Sequence, residues 1–158
     1  MRYFDNIHTL EDLKKAYRNY AKMYHPDLGG SEEVMAAINA EYDVVFEKVK
    51  NNHKTAEGKT YTKETTETPE MFRDIINAII NFNCDIEIIG TWVWCFNSYE
   101  YKDQLKALGF KYAPKRKAWC WHSDEFKSRK SNMTTDEMRA KYGSQSIRNK
   151  EDQQLLAQ

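Results

Sequence analysis

The sequence predicts an α+β fold: a helical hairpin in the first fifty residues and, after a polar stretch, a small mixed domain. Three observations lead there. Two apolar patterns of helical period flank Gly29-Gly30, residues 51–68 hold almost no apolar side chain, and the later chain alternates helix-like with strand-like runs. The 158 residues allow one or two small domains, and a hydrophobic share of 41% with 13% aromatic supplies a core.

The elements follow in order. Thr9 caps a helix in which Leu10, Leu13, Ala16, Tyr17, Tyr20, Ala21 and Tyr24 recur at helical spacing, and Pro26 ends it by restricting His25 and removing a donor. Ser31 opens a second helix, with Glu32 and Glu33 near the positive end of its dipole and Met35, Ile38, Tyr42, Val45, Phe46 and Val49 on its apolar face. Two amphipathic helices joined by so short a loop make a hairpin over residues 1–50.

Residues 51–68 carry only Ala56 and Tyr61 as apolar side chains and read as a linker. The second domain, residues 69–127, begins with Thr68 as cap and Pro69 at the first helical position, and its helix runs through Met71, Phe72, Ile75, Ile76, Ile79, Ile80 and Phe82. Two β-rich runs, 85–89 and 92–96, meet at Gly90-Thr91. A helix over 101–108 closes at Gly109, and 110–112 then pairs with 119–121 across a turn rich in Lys and Arg. That order gives an α-β-β-α-β-β domain. Residues 128–158 form a polar tail in which Thr134-Thr135-Asp136-Glu137 starts a short helix ending near Gly143, with a frayed end.

Charge narrows the function classes. There are 24 basic and 24 acidic residues, so no global electrostatic grip on nucleic acid is expected; residues 111–130, however, carry seven basic groups against two acidic and allow a local basic patch. No apolar run approaches the roughly 20 residues of a membrane span, and the start lacks the apolar stretch of a secretory signal. A cytoplasmic location without membrane contact is the expectation. Three cysteines fit a reducing compartment.

His25-Pro26-Asp27 sits between a basic helix and one that starts acidic. Alone, the tripeptide reads more readily as a helix-ending turn. With the run from Leu13 to Tyr24 before it and the run from Ile38 to Val45 after it, the segment over residues 1–50 resembles the J-domain of DnaJ-type co-chaperones, and Tyr3-Phe4 resembles the family's short aromatic first helix. The chain differs from longer J-domains in having Leu28 after Asp27, a loop shortened to Leu28-Gly29-Gly30, and no expected fourth helix after residue 50.

The resemblance implies binding to a DnaK-type 70-kDa heat-shock chaperone and stimulation of its ATP hydrolysis. Asp27 would present a carboxylate to a partner arginine, with His25 and Pro26 fixing the loop, and Lys14, Lys15, Arg18 and Lys22 would form a basic stripe for an acidic partner surface. The ATP and its metal belong to the partner, so no cofactor is expected. A His25/Asp27 acid–base pair has no accompanying nucleophile, and the protein is read as not an enzyme.

The second domain is expected to recruit a client protein or to place the complex. Alternation puts Trp92, Trp94 and Phe96 on one strand face and Trp119 with Trp121 on another. Facing inward, these rings are a core. Facing outward beside Lys115, Arg116 and Lys117, they make a stacking platform with a basic rim for single-stranded nucleic acid, or a patch for a peptide. Two rival readings stand beside the co-chaperone: a nucleic-acid-binding adaptor, and an interaction module without chaperone coupling. The stretch from Ile86 to Trp121, with Arg139 to Gly143, is similar to the C-terminal region of small J-domain proteins of bacteria and their phages. Cys84, Cys95, Cys120 and His122 offer three thiolates and an imidazole to zinc, but no Cys-x-x-Cys knuckle accompanies them, so buried free thiols and no metal are the expectation.

Overall fold

The computed structural model describes residues 3–123, 135–142 and 144–147. The chain divides into two compact units, residues 1–54 with 58–81, and residues 55–57 with 82–158.

In the first unit α1 (Leu10–Tyr24) and α2 (Glu32–Val49) are joined by a tight turn, Pro26–Leu28. Both helices start as expected, with Thr9 Oγ1 accepting from the Asp12 N–H and Ser31 Oγ from the Val34 N–H. The expected aromatic first helix is absent: Tyr3 and Phe4 lie in a turn, and their N–H groups both donate to the Glu41 carboxylate. A carboxylate capturing two consecutive amides satisfies the backbone without a helix.

The segment 51–68 is not the linker that its composition suggests. β1 (Asn52–Lys54) pairs antiparallel with β2 (Thr60–Thr62), and Glu67 is buried. What holds it is charge rather than apolar area. The Glu11 carboxylate lies 2.6 Å from His53 Nδ1 and accepts from the Lys54 N–H, while Lys14 Nζ donates to Glu67 Oε1 at 2.8 Å.

α3 (Pro69–Ile79) then packs against both α1 and α2, so it completes the helical unit instead of opening the second domain. Phe72 seats on Tyr42 and Tyr17, with ring centroids 6.2 and 6.1 Å away. Arg73 grips Asp43 with two hydrogen bonds of 2.8 and 3.1 Å, and the Asn77 amide donates to the Tyr17 hydroxyl, which is 2.6 Å from Asn39 Oδ1. Burial pushes the Tyr17 pKa up to about 12.

The second unit is an antiparallel five-stranded sheet in the order β5-β6-β4-β3-β7. Its strands are β3 (Asp85–Ile89), β4 (Trp92–Phe96), β5 (Lys111–Ala113), β6 (Ala118–Trp121) and β7 (Ser144–Ile147), with α4 (Lys102–Ala107) between β4 and β5 and α5 (Thr135–Tyr142) before β7. Gly90, at φ 62°, makes the tight β3–β4 turn. Strands, turns and both helices match expectation, except that the tail returns to the sheet: β7 pairs along β3 from Ile86↔Ile147 to Ile89↔Ser144 and covers an edge otherwise left open. Thr134 lies outside the described residues. Among the described residues no helix is long and apolar enough to cross a membrane.

Candidate functional site

His25-Pro26-Asp27 is built as a rigid projection. His25 ends α1 with extended backbone, its N–H still donating to the Ala21 carbonyl, and its own carbonyl then accepts from both Leu28 and Gly30 at 2.9 and 3.0 Å. Pro26 starts the short turn with its φ already set. Gly29 closes it at φ 84°, in the left-handed region that glycine enters without strain. Gly30 is required for space: a β-carbon there would lie 2.0 Å from the Tyr24 carbonyl oxygen.

Two contacts aim Asp27. The His25 ring, largely buried, accepts the Asp27 N–H on Nδ1 at 3.1 Å, and the Asn81 side-chain amide, from just beyond α3, donates to Asp27 Oδ2 at 3.0 Å. The Asp27 side chain nevertheless stays 58% exposed. The loop therefore presents a carboxylate held from behind, suited to an arginine fork arriving from solvent. Asn81 is the residue that sequence reasoning missed; it lies 54 positions from Asp27, and no local pattern marks it.

The basic stripe needs correction. Lys14 and Arg18 are buried, at 0% and 1% exposure, and share the inward face of α1 with Leu10, Leu13, Tyr17 and Ala21. Lys14 is committed to Glu67, with its ammonium 4.9 Å from the Phe72 ring centre. The helical spacing itself held this signal, because positions 10, 13, 14, 17, 18 and 21 form one face. Of the four cations, Lys15 and Lys22 remain partly exposed, and partial burial pulls the Lys15 pKa down.

In the second unit the two tryptophan pairs do not meet. Cross-strand pairing of Trp94 with Cys120 and of Cys95 with Trp119 puts Trp92, Trp94 and Phe96 on one face of the sheet and Trp119 and Trp121 on the other. Trp94 is buried among Ile89, Ala118 and Cys120, so the combined platform of both tryptophan pairs is not formed. Lys115 and Lys117 are exposed at the β5–β6 turn, while Arg116 folds back with its guanidinium carbon 5.5 Å from the Trp94 ring centre.

The same register separates the thiols. Cys84 is hydrogen-bonded with Cys95, a contact that with burial raises the Cys95 pKa, whereas Cys120 points to the opposite face and burial pushes it up to about 11. His122 is stacked on Trp92 and lies 3.0 Å from Thr91 Oγ1. The candidate zinc ligands are not brought together, and among the described residues no group of three His, Cys, Asp or Glu is placed to hold a metal ion.

Comparison with known proteins adds one segment. A tetratricopeptide repeat and J domain-containing co-chaperone of Cryptococcus neoformans var. grubii is 61% identical over 33 residues, 21% of this chain. That stretch is similar to a J-domain co-chaperone. The match spans 6% of the relative's length, and the relative is fungal, which lends nothing to a bacterial or phage origin. No family model and no solved structure matches the chain.

Proposed function

We propose that the protein is a J-domain co-chaperone that docks on a DnaK-type chaperone and stimulates its ATP hydrolysis, with the second unit recruiting a client or locating the complex. One observation carries this reading: the Asp27 carboxylate is exposed, yet its backbone is fixed by His25 and its Oδ2 by Asn81. Such preorganisation matters for a group that must meet one partner arginine, because less order is lost on binding. The short, highly identical segment shared with a J domain-containing co-chaperone supports the same reading.

On this reading the protein performs no bond chemistry and holds no cofactor. ATP and its metal stay with the partner. Asp27 makes the charge-assisted contact that couples docking to hydrolysis, and Lys15 and Lys22 steer the encounter with an acidic surface. Steering by two partly exposed cations acts on the association rate and fades as salt rises.

Binding to an immobilised DnaK-type chaperone in its ATP state tests the docking step. Wild type should bind, Asp27→Asn should lose binding at least tenfold while keeping its circular dichroism spectrum, and Lys15→Gln with Lys22→Gln should slow association only at low salt. Equal binding by wild type and Asp27→Asn would remove the role given to the loop.

A further inference from the structure

We propose that a cleft on the Trp92-Trp94-Phe96 face of the second unit binds a nucleotide, with its phosphate on Arg116 and Lys117 and its base against Phe96. The cleft measures about 370 Å³, within the range of small-ligand sites. The inference is independent of the co-chaperone reading, since every residue in it belongs to the second unit.

The wall holds one aromatic ring: Phe96, partly buried, lines the cleft and stands nearly parallel to the buried Trp94 beside it, with ring centroids 6.2 Å apart and planes 21° apart. The acidic groups in its wall are already engaged. Glu87, 3% exposed, is held by two hydrogen bonds from Arg139, whose guanidinium carbon lies 5.4 Å from the Phe96 ring centre. Asp85 accepts from the Asn97 amide at 2.7 Å. Arg116 and Lys117 add two positive charges at the rim, and with Arg139 the lining carries three cations against two carboxylates. A phosphate supplies the complementary charge and an aromatic base the complementary face.

Backbone conformation points to the same place. Among the described residues three that are not glycine have positive φ, and two of them, Asn97 at 54° and Lys117 at 52°, line this cleft. Lys117 follows a turn in which the Arg116 N–H donates to Ala113 and the Lys117 N–H to Pro114. Glycine is the unstrained choice at a left-handed position closing such a turn, so lysine there keeps a cation at the cleft against local preference.

That strain supplies the test. In the full chain, Lys117→Gly relieves the backbone and should leave the urea midpoint unchanged or higher. Anisotropy of a fluorescein-labelled single-stranded DNA 15-mer should show binding by wild type. For Lys117→Gly the slope of log Kd against log salt should fall by about 0.7. That loss corresponds to roughly eightfold weaker binding at 50 mM salt if the two curves meet near 1 M. Phe96→Leu should weaken binding of the oligonucleotide and leave inorganic pyrophosphate unaffected. Displacement by adenosine monophosphate makes the ligand a free nucleotide, and binding by the 15-mer alone makes it a strand; either supports the site. The proposal is overturned if neither probe binds at 50 mM salt, if Lys117→Gly binds the 15-mer as wild type does, or if hexaglutamate displaces it as well as unlabelled 15-mer does.

Discussion

Glu67→Gln should strongly destabilise the first unit, although the change is isosteric and falls in a segment of almost purely polar composition. Glu67 Oε1 is 2.8 Å from Lys14 Nζ, and the two side chains are 1% and 0% exposed. Removing one charge breaks the ion pair while the other charge stays buried, and breaking a buried pair in this way costs about 3–5 kcal/mol. For a unit of this size, 3 kcal/mol lowers the midpoint of thermal unfolding by about 12–24 °C. Urea unfolding followed by far-ultraviolet circular dichroism measures the effect, and 0.5 M salt should barely alter it because the pair is shielded from solvent. The double variant Lys14→Met with Glu67→Leu should recover most of the loss, since apolar replacement of a whole buried pair is often neutral or better. A linker glutamate would change stability by no more than about 0.5 kcal/mol. A loss below about 1 kcal/mol for Glu67→Gln would refute the idea that charge pairing anchors residues 51–68.

Asn81→Ala should leave stability within about 1 kcal/mol, because its bond to Asp27 is exposed, yet reduce chaperone stimulation several-fold by freeing the carboxylate; urea midpoint and ATPase assay together separate the two effects. Gly30→Ala should cost about 2–4 kcal/mol in the same urea assay, since the Tyr24 carbonyl occupies the space its methyl needs and backbone must shift. Tyr17 has its folded pKa raised from 10.0 to about 12 by burial, so the neutral phenol is favoured in the fold. Its contribution to stability is complete below pH 10 and is lost as pH climbs toward about 12, so chemical denaturation across that window should show a smaller loss for Tyr17→Phe than for wild type, the remainder including Tyr42, which burial raises in the same way.

The helices were legible because their signals are local. Thr9, Ser31 and Pro69 mark starts, Pro26 and Gly109 mark stops, and the spacing of Leu13, Tyr17 and Ala21 marks a buried face. The same spacing places Lys14 and Arg18 on that face, but their charge argued for solvent, and the Glu67 partner that holds Lys14 inside lies 53 residues away. Residues 51–68 were illegible for a related reason: Glu11, Asn51, His53 and Glu67 organise them through side-chain bonds that leave no hydrophobic period. α3 was readable as a helix but not as a member of the first unit, because Arg73–Asp43 and Asn77–Tyr17 span 30 and 60 positions. In the second unit the alternation of Trp92, Trp94 and Phe96 was visible, whereas the opposition of Trp94 to Trp119 follows from the β4–β6 register, which no single strand encodes. The loop at His25-Pro26-Asp27 could be read in outline; the grip of Asn81 on Asp27 could not.

Single-turnover ATP hydrolysis by a DnaK-type chaperone, with and without this protein, tests the central claim most directly. The expected result is a rate increase with wild type that disappears with His25→Gln and with Asp27→Asn while both variants keep the wild-type stability to urea within about 1 kcal/mol. An unchanged rate with wild type at low salt, across several such chaperones, would contradict it, and so would stimulation that survives in Asp27→Asn.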